Sequence, residues 1–142
     1  MVIIGTKCQI EETVTEDLTA QAIGSGALPV FGTPFMTALM ENAALTCLQA
    51  FLDEGQGSVG TFLDIKHTAP TPVGMKVTAE AEIYDANERK VMFKVRAWDE
   101  RDPSAREPTP ASSSTTKNFS QNATPNGSSN LPRFQQKRTA GF

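Results

Sequence analysis

The sequence predicts an α+β domain in which one long helix packs against an antiparallel sheet. Two observations support this class. Residues 35–52 contain no Gly or Pro and are rich in Ala and Leu, which predicts a helix. Short segments of alternating polarity follow this helix along the chain, an order that is typical of α+β domains rather than of βαβ units. The 142 residues suffice for one domain.

The first elements are a strand and a loop. Cys8, Ile10 and Val14, with polar residues between them, predict the strand. Residues 17–27 contain Gly-Ser-Gly and are predicted to form a loop.

Capping residues set the expected limits of the long helix. Thr33 is suited to the N-cap and Pro34 to the first helical position. Gly55 and Gly57 are expected to end the helix.

Three further strands are predicted, at residues 58–66, 77–84 and 91–98. In the last two, apolar and polar side chains alternate. Residues 85–90 between them contain Asn87 and predict a hairpin turn.

The last 40 residues differ from the rest. Residues 103–142 contain no Val or Ile and are dominated by Ser, Thr, Asn and Pro. Such a segment buries too little apolar area to offset its ordering entropy. We therefore expect a domain at residues 1–102 and a divergent, poorly ordered tail at residues 103–142.

Charge divides in the same way. Five basic and one acidic side chains give the tail +4, which leaves −7 for the body of a chain whose net charge is −3. An acidic body argues against nucleic-acid binding. The basic tail is more simply solvated than bound to an anionic surface.

The cysteines, the single histidine and the first residues of the chain argue against a zinc protein, a secreted protein and a membrane protein. Cys8 and Cys47 lie in unrelated contexts and are interpreted as buried free thiols, and a single His cannot complete a Cys/His zinc site. The apolar run Val2-Ile3-Ile4 is too short for a signal peptide or a membrane span. We therefore expect a cytoplasmic protein without a metal or a membrane contact.

Three residues could carry acyl-transfer chemistry, although each has a simpler explanation. Glu41 lies among apolar residues of the helix but borders its polar stripe, so it could be merely solvated. His67 follows a predicted strand, where functional residues are frequent, yet a lone His is more often structural. Thr33 is explained by capping alone. An acid, an imidazole and a hydroxyl at one cleft would nonetheless suit acyl transfer.

The pattern of these residues resembles a known family. Residues 28–41 (LPVFGTPFMTALME), 58–61 (SVGT) and 67–74 (HTAPTPVG) are similar to motifs of the fluoroacetyl-CoA thioesterase-like proteins of the hotdog fold. The intervals from Thr33 to Glu41 and from Glu41 to His67 also agree with that family. The likeness covers roughly residues 5–102.

The resemblance implies a hotdog fold and the hydrolysis of an acyl-CoA thioester by a homodimer without metal or organic cofactor. It implies Thr33, Glu41 and His67 as catalytic residues. It also implies substrate-binding positions, which are Gly60, Phe31 and Pro34. Glu41 would act as nucleophile or general base, His67 would relay a proton, and Thr33 would hydrogen-bond the reacting groups. Narrow fluoroacetyl specificity is not expected, because residues 19–28 lack the aromatic side chains of the family's lid.

After Asp102 the chain departs from the family, whose last strand begins with an Ile-Gly-x-Gly-x-His pattern. If residues 104–109 are read one nucleotide earlier, the genetic code permits Ile-Gly-Glu-Gly-Thr-His there. This compatibility predicts a frameshift or a misplaced splice near residues 99–102. The missing strand would lie between the strand before His67 and the strand at 91–98. Either residues 112–120 fill that gap poorly or the sheet is open.

Two other functions remain open at this level. A non-catalytic acyl-thioester-binding or structural hotdog domain is compatible with the altered C-terminus. A hotdog dehydratase or hydratase is less favoured, because the helix carries a Glu eight residues after Thr-Pro rather than a dehydratase-like site.

Overall fold

The computed structural model describes residues 1–101 and 115–120, which form one long helix on a five-stranded antiparallel sheet. The strands are β1 (Lys7–Thr13), β2 (Val59–Leu63), β3 (Lys76–Ala86), β4 (Lys90–Asp99) and β5 (Thr115–Ser120). The helices are a 3-10 turn at Glu16–Leu18, the short α1 (Ala20–Ile23) and the long α2 (Thr33–Gln49). The sheet order is β1-β3-β4-β5-β2, and the predicted α+β class is confirmed.

The core lies between α2 and one face of the sheet. Strand side chains alternate between faces, so every second residue of β3 and β4 points toward the helix. The fully buried side chains are Leu39, Ala43, Ala44 and Leu48 of α2 and Ala79, Ala81, Ile83, Val91 and Phe93 of the sheet. Alanine on both sides lets the helix approach the sheet closely.

The hairpin between β3 and β4 lies where the sequence predicts it. The Asn87 N–H donates to the Lys90 carbonyl at 2.9 Å. The Asn87 side-chain oxygen accepts from the backbone N–H groups of Arg89 and Lys90, both at 2.9 Å. Asn commonly closes turns in this way, because its side chain replaces a backbone acceptor.

Three predicted boundaries are wrong. The strand predicted at residues 58–66 ends at Leu63. Residues 17–27 are not only a loop, because Thr19 caps α1 by accepting from the Ala22 N–H at 3.1 Å, and Gly24 ends α1 with φ 72°. The helix α2 ends at Gln49 rather than near Gly55 and Gly57. The half-buried Phe51 and Leu52 continue the apolar pattern of α2 beyond its end, which is why the pattern predicts a longer helix.

β5 occupies the position that the family's strand order predicts for the missing strand. It pairs with β4 from Lys90 to Val95 on one side and with β2 on the other. Of the expected alternatives, residues 115–120 therefore fill the gap. The expectation of a poorly ordered tail otherwise concerns residues that lie outside the described ranges.

The two cysteines are neighbours, so the prediction of unrelated contexts is wrong. Cys8 of β1 is opposite Ala81 of β3, and the Cys47 thiol of α2 donates to the Ala81 carbonyl at 3.4 Å. Both are free thiols. Burial and contact with Cys8 raise the pKa of the Cys47 thiol well above its usual range.

Neither a membrane-crossing helix nor a metal site is found in the part of the chain that the structure describes. No helix there is long and apolar enough to span a bilayer. No group of three or more His, Cys, Asp or Glu side chains within the same ranges could hold a metal ion.

Candidate active site

The structure brings together Thr33 and His67, two of the three predicted catalytic residues. The Thr33 hydroxyl oxygen lies 2.7 Å from Nδ1 of His67, a hydrogen-bond distance. Nδ1 accepts the hydroxyl proton when the imidazole carries its own proton on Nε2, and it donates in the other tautomer. A hydroxyl and an imidazole from segments far apart in the chain thus form a polar pair at the start of α2.

His67 lies in a partly desolvated position. Burial lowers the pKa of His67 below its usual 6.5, and a hydrogen bond with the Ala69 backbone opposes this change by favouring the charged ring. The imidazole is half-buried. The lowered pKa favours the neutral ring, which is the form that can accept a proton.

Thr33 is not the N-cap of α2, contrary to the prediction. Gly32 is the N-cap and no side chain caps the helix, so Thr33 is the first helical residue and Pro34 the second. Gly32 donates to the Leu18 carbonyl at 2.9 Å. A Cβ at Gly32 would approach the Ala20 nitrogen to 3.3 Å, so this tight contact favours glycine. The Thr33 hydroxyl is left to bond with His67 instead of the helix backbone.

The segment before Thr33 is joined to the loop after His67. The Phe31 N–H donates to the Thr71 carbonyl at 2.7 Å, and Val30 and Pro72 form an antiparallel bridge. Sequence reasoning missed Thr71 as a contributor to the site. Its place between two prolines, which restrict the backbone, was the available signal.

The other predicted residues occupy different environments. Phe31 is a core residue with 2% of its surface exposed, whereas Pro34 is exposed at the start of α2. Gly60 lies in the exposed strand β2, where the pairing register with β5 shifts between Gly60 and Phe62. Their roles as substrate contacts stay predictions.

Glu41 is exposed on α2. Eight residues separate it from Thr33, which corresponds to about 12 Å along the helix axis and about 80° around it. The Glu41 carboxylate cannot contact the Thr33 hydroxyl across this distance within one helix. If Glu41 is catalytic within one subunit, the imidazole or a substrate must lie between its carboxylate and the Thr33 hydroxyl. The alternative is that the Glu41 carboxylate of a second subunit reaches this hydroxyl.

Comparisons with known proteins show which sequences and folds the chain is similar to. A family model described as fluoroacetyl-CoA-specific thioesterase matches residues 14–106. The fluoroacetyl-CoA thioesterase of Streptantibioticus cattleyicolor is 41% identical over 70 residues, 49% of this chain and 50% of that protein. The match thus spans about half the length of this curated relative.

Solved structures extend the likeness to the whole fold. A variant of the fluoroacetyl-CoA-specific thioesterase in complex with fluoroacetate and CoA has a TM-score of 0.71 and 26% identity, covering 85% of this chain and 95% of that one. A hot-dog-like protein from Thermanaerovibrio acidaminovorans has a TM-score of 0.67 at 21% identity, covering 96% and 90%. The predicted hotdog fold is confirmed.

Proposed function

Because the chain belongs to the fluoroacetyl-CoA-specific thioesterase family, we propose that it hydrolyses an acyl-CoA thioester to a carboxylic acid and free CoA. The observation that carries the proposal is the 2.7 Å contact between the Thr33 hydroxyl and Nδ1 of His67. A neutral imidazole beside a hydroxyl, at the start of a helix, suits the proton transfers of acyl transfer.

The proposed reaction adds water to the thioester carbonyl and breaks the carbon–sulfur bond. Glu41 acts as a general base that takes a proton from water, or as a nucleophile whose anhydride is then hydrolysed. The neutral imidazole of His67 takes up a proton lost by the reacting water and passes it to the departing thiolate, and Thr33 orients the imidazole. The partial positive charge at the start of α2 favours the oxyanion that forms on the carbonyl oxygen. This scheme uses no metal or organic cofactor, so EDTA should leave the rate unchanged.

Two observations support a homodimer as the active form. β2 is an edge strand that pairs with β5 on one side, and its Val59 and Phe62 side chains are 57% and 51% exposed. Among the described residues the other side of β2 has no strand, and an edge with exposed apolar side chains is a surface that a second copy would cover. The exposed position of Glu41, about 12 Å along α2 from Thr33, also fits a site completed across subunits.

The acyl pocket is proposed to differ from one that selects fluoroacetyl groups. The segment from Thr19 to Leu28 contains no aromatic side chain. Its large apolar side chains are Ile23 and Leu28, which are 43% and 62% exposed. Aliphatic side chains without ring packing leave room for wider acyl groups, so short, branched and aromatic acyl-CoAs are all suitable substrates to compare.

The test follows free-thiol release from a panel of short, branched and aromatic acyl-CoAs. Glu41→Ala is the inactivating variant, and Glu54→Ala is a matched control because Glu54 is also an exposed carboxylate but lies beyond the end of α2. We expect release that Glu41→Ala abolishes and Glu54→Ala retains. Release that is unchanged in Glu41→Ala and Glu41→Gln would remove Glu41 from the scheme.

A non-catalytic acyl-thioester-binding domain is the second candidate. The family match ends at residue 106, and β5 lies beyond it. A non-hydrolysable thioether analogue of acyl-CoA distinguishes the two functions, because a binding domain retains it tightly while showing no thiol release with the matching thioester.

Sequencing the gene across the codons for residues 99–102 tests the predicted frameshift.

The remaining parts of the proposal concern location and partners. We propose that the protein acts in the cytoplasm and that its partners are acyl-CoA and a second copy of itself. The acidic body, with a net charge of −7 outside the tail, makes nucleic acid an unfavourable partner.

A further inference from the structure

We propose that Thr71 and Asp99 are positioning residues for the Thr33–His67 pair, because together they hold the loop after His67 against the segment before Thr33. Neither residue touches the reacting groups in this scheme. The inference deepens the proposed function and rests on it for its kinetic consequence.

The central contact joins the loop to the end of β4. The Thr71 hydroxyl donates to the Oδ2 atom of Asp99 at 2.7 Å. Both side chains are buried, with 6% of Thr71 and 8% of the Asp99 side chain exposed. A buried carboxylate without such donors would carry a large desolvation cost, so this contact resists separation.

Arg101 completes the attachment on the same side. Its backbone N–H donates to the Oδ1 atom of Asp99 at 2.9 Å, so both carboxylate oxygens are engaged. Its guanidinium donates to the Pro70 carbonyl at 2.8 Å and lies 3.8 Å from Oδ2 of Asp99. Two consecutive loop residues, Pro70 and Thr71, are thus tied to the end of β4.

The other side of the loop is tied to the start of α2. The Thr71 carbonyl accepts from the Phe31 N–H at 2.7 Å, two residues before Thr33. The neighbouring Val30 carbonyl accepts from the Ala20 N–H at 2.8 Å, which fixes that segment from its far side. Thr71 therefore bonds Asp99 through its side chain and the Thr33 segment through its backbone.

These contacts affect the geometry of the Thr33–His67 pair, the proposed dyad, because His67 lies in a segment without regular secondary structure, between β2 and β3. Irregular segments keep their geometry through side-chain and tertiary contacts. A displacement of about 1 Å of a catalytic group can cost about 100-fold in rate. Loss of the Thr71–Asp99 bond should therefore loosen the imidazole from the Thr33 hydroxyl and expose it to water.

The experiment uses the full-length protein and its single histidine, whose imidazole gives one set of NMR signals to titrate. Thr71→Val removes the hydroxyl without changing any charge, and Thr71→Ser retains it. Thr78→Val is the matched control, because Thr78 is a buried threonine that neighbours core-facing Val77 and Ala79 and so points to the other face of the sheet. Each variant is titrated, assayed for kcat/KM and checked for folding by thermal unfolding.

We expect the pKa of His67 to rise toward 6.5 in Thr71→Val, while Thr71→Ser and Thr78→Val keep the lowered pKa. We also expect kcat/KM to fall about 10- to 100-fold in Thr71→Val through kcat rather than KM. If Thr71→Val does not fold, Thr71→Ala, which also lacks the hydroxyl that donates to Asp99, takes its place with the same expectations.

An unchanged His67 titration in folded Thr71→Val overturns the positioning role. The titration does not depend on turnover, so it separates this inference from the proposed function. A protein without thioesterase activity whose His67 pKa still responds to Thr71→Val would refute the hydrolysis while supporting the positioning. Active protein with equal loss of kcat/KM in Thr71→Val and Thr78→Val would refute the positioning alone.

Discussion

Replacing Thr33 with Val isolates the hydroxyl of the proposed dyad. Valine has nearly the same shape as threonine, so the substitution removes the group that lies 2.7 Å from Nδ1 of His67 and little else. Thr33 is exposed and does not cap α2. The variant should therefore lose less than about 0.5 kcal/mol of folding stability.

The expected effect on catalysis follows from the lost hydrogen bond. The hydrogen bond gains about 1–2 kcal/mol when the imidazole takes up a proton in the transition state, because hydrogen bonds to charged groups are stronger than those between neutral groups. At about 1.36 kcal/mol for each tenfold change in rate, this gain corresponds to a fall in kcat/KM of about 5- to 30-fold. Thr33→Ser, which keeps the hydroxyl, should recover most of the activity.

The assay is thiol release under kcat/KM conditions, with thermal unfolding measured in parallel. Thr46→Val is the control on the same helix, because the exposed Thr46 hydroxyl donates to the Asn42 carbonyl, one turn earlier in α2, at 2.9 Å. The control should keep wild-type activity. Wild-type kcat/KM in Thr33→Val, with the dyad hydroxyl removed, would refute the reasoning.

Three further predictions test the site and the core. Because burial lowers the pKa of His67, the acidic limb of the pH profile of kcat/KM should lie below pH 6.5, and an acidic limb above pH 6.5 would contradict this. For the same reason, the folding stability that neutral His67 contributes should be present above pH 6.5 and lost as pH falls through its folded-state pKa. Leu39→Ala, at a fully buried position, should cost about 3–5 kcal/mol in urea unfolding, and a cost below about 1 kcal/mol would contradict the packing. Iodoacetamide should label the half-buried Cys8 before Cys47, whose thiol pKa is raised, as mass spectrometry of timed samples would show. Faster labelling of Cys47 would contradict its burial.

Local patterns predicted the elements that local interactions determine. The β3–β4 hairpin follows from alternating polarity and the acceptor of Asn87, and α2 follows from its composition. The assignment of Thr33 as the N-cap failed because the deciding contact is with His67, which is distant in the chain. A hydroxyl next to proline has the same local signal whether it caps a helix or faces an imidazole.

Long-range register was beyond reach for the same reason. Cys8 and Cys47 are neighbours only because β1 pairs with β3 so that Cys8 faces Ala81, whose carbonyl accepts the Cys47 thiol. No spacing along the chain contains that information. The same holds for Thr71 and Asp99, whose contact depends on where β4 ends relative to the loop after His67.

The gap in the sheet followed from the family's strand order, and residues 112–120 were one of the two alternatives for it. Backbone groups of β2 and β4 require partners, which is a topological demand independent of side chains. The β5 ladder meets this demand on β4 from Lys90 to Val95. Asp99 lies beyond that ladder, at the end of β4, where its carboxylate accepts a hydrogen bond from the Thr71 hydroxyl. The end of β4 beside the dyad is thus secured by side-chain contacts, so the site depends on residues before the divergent tail more than on the tail itself.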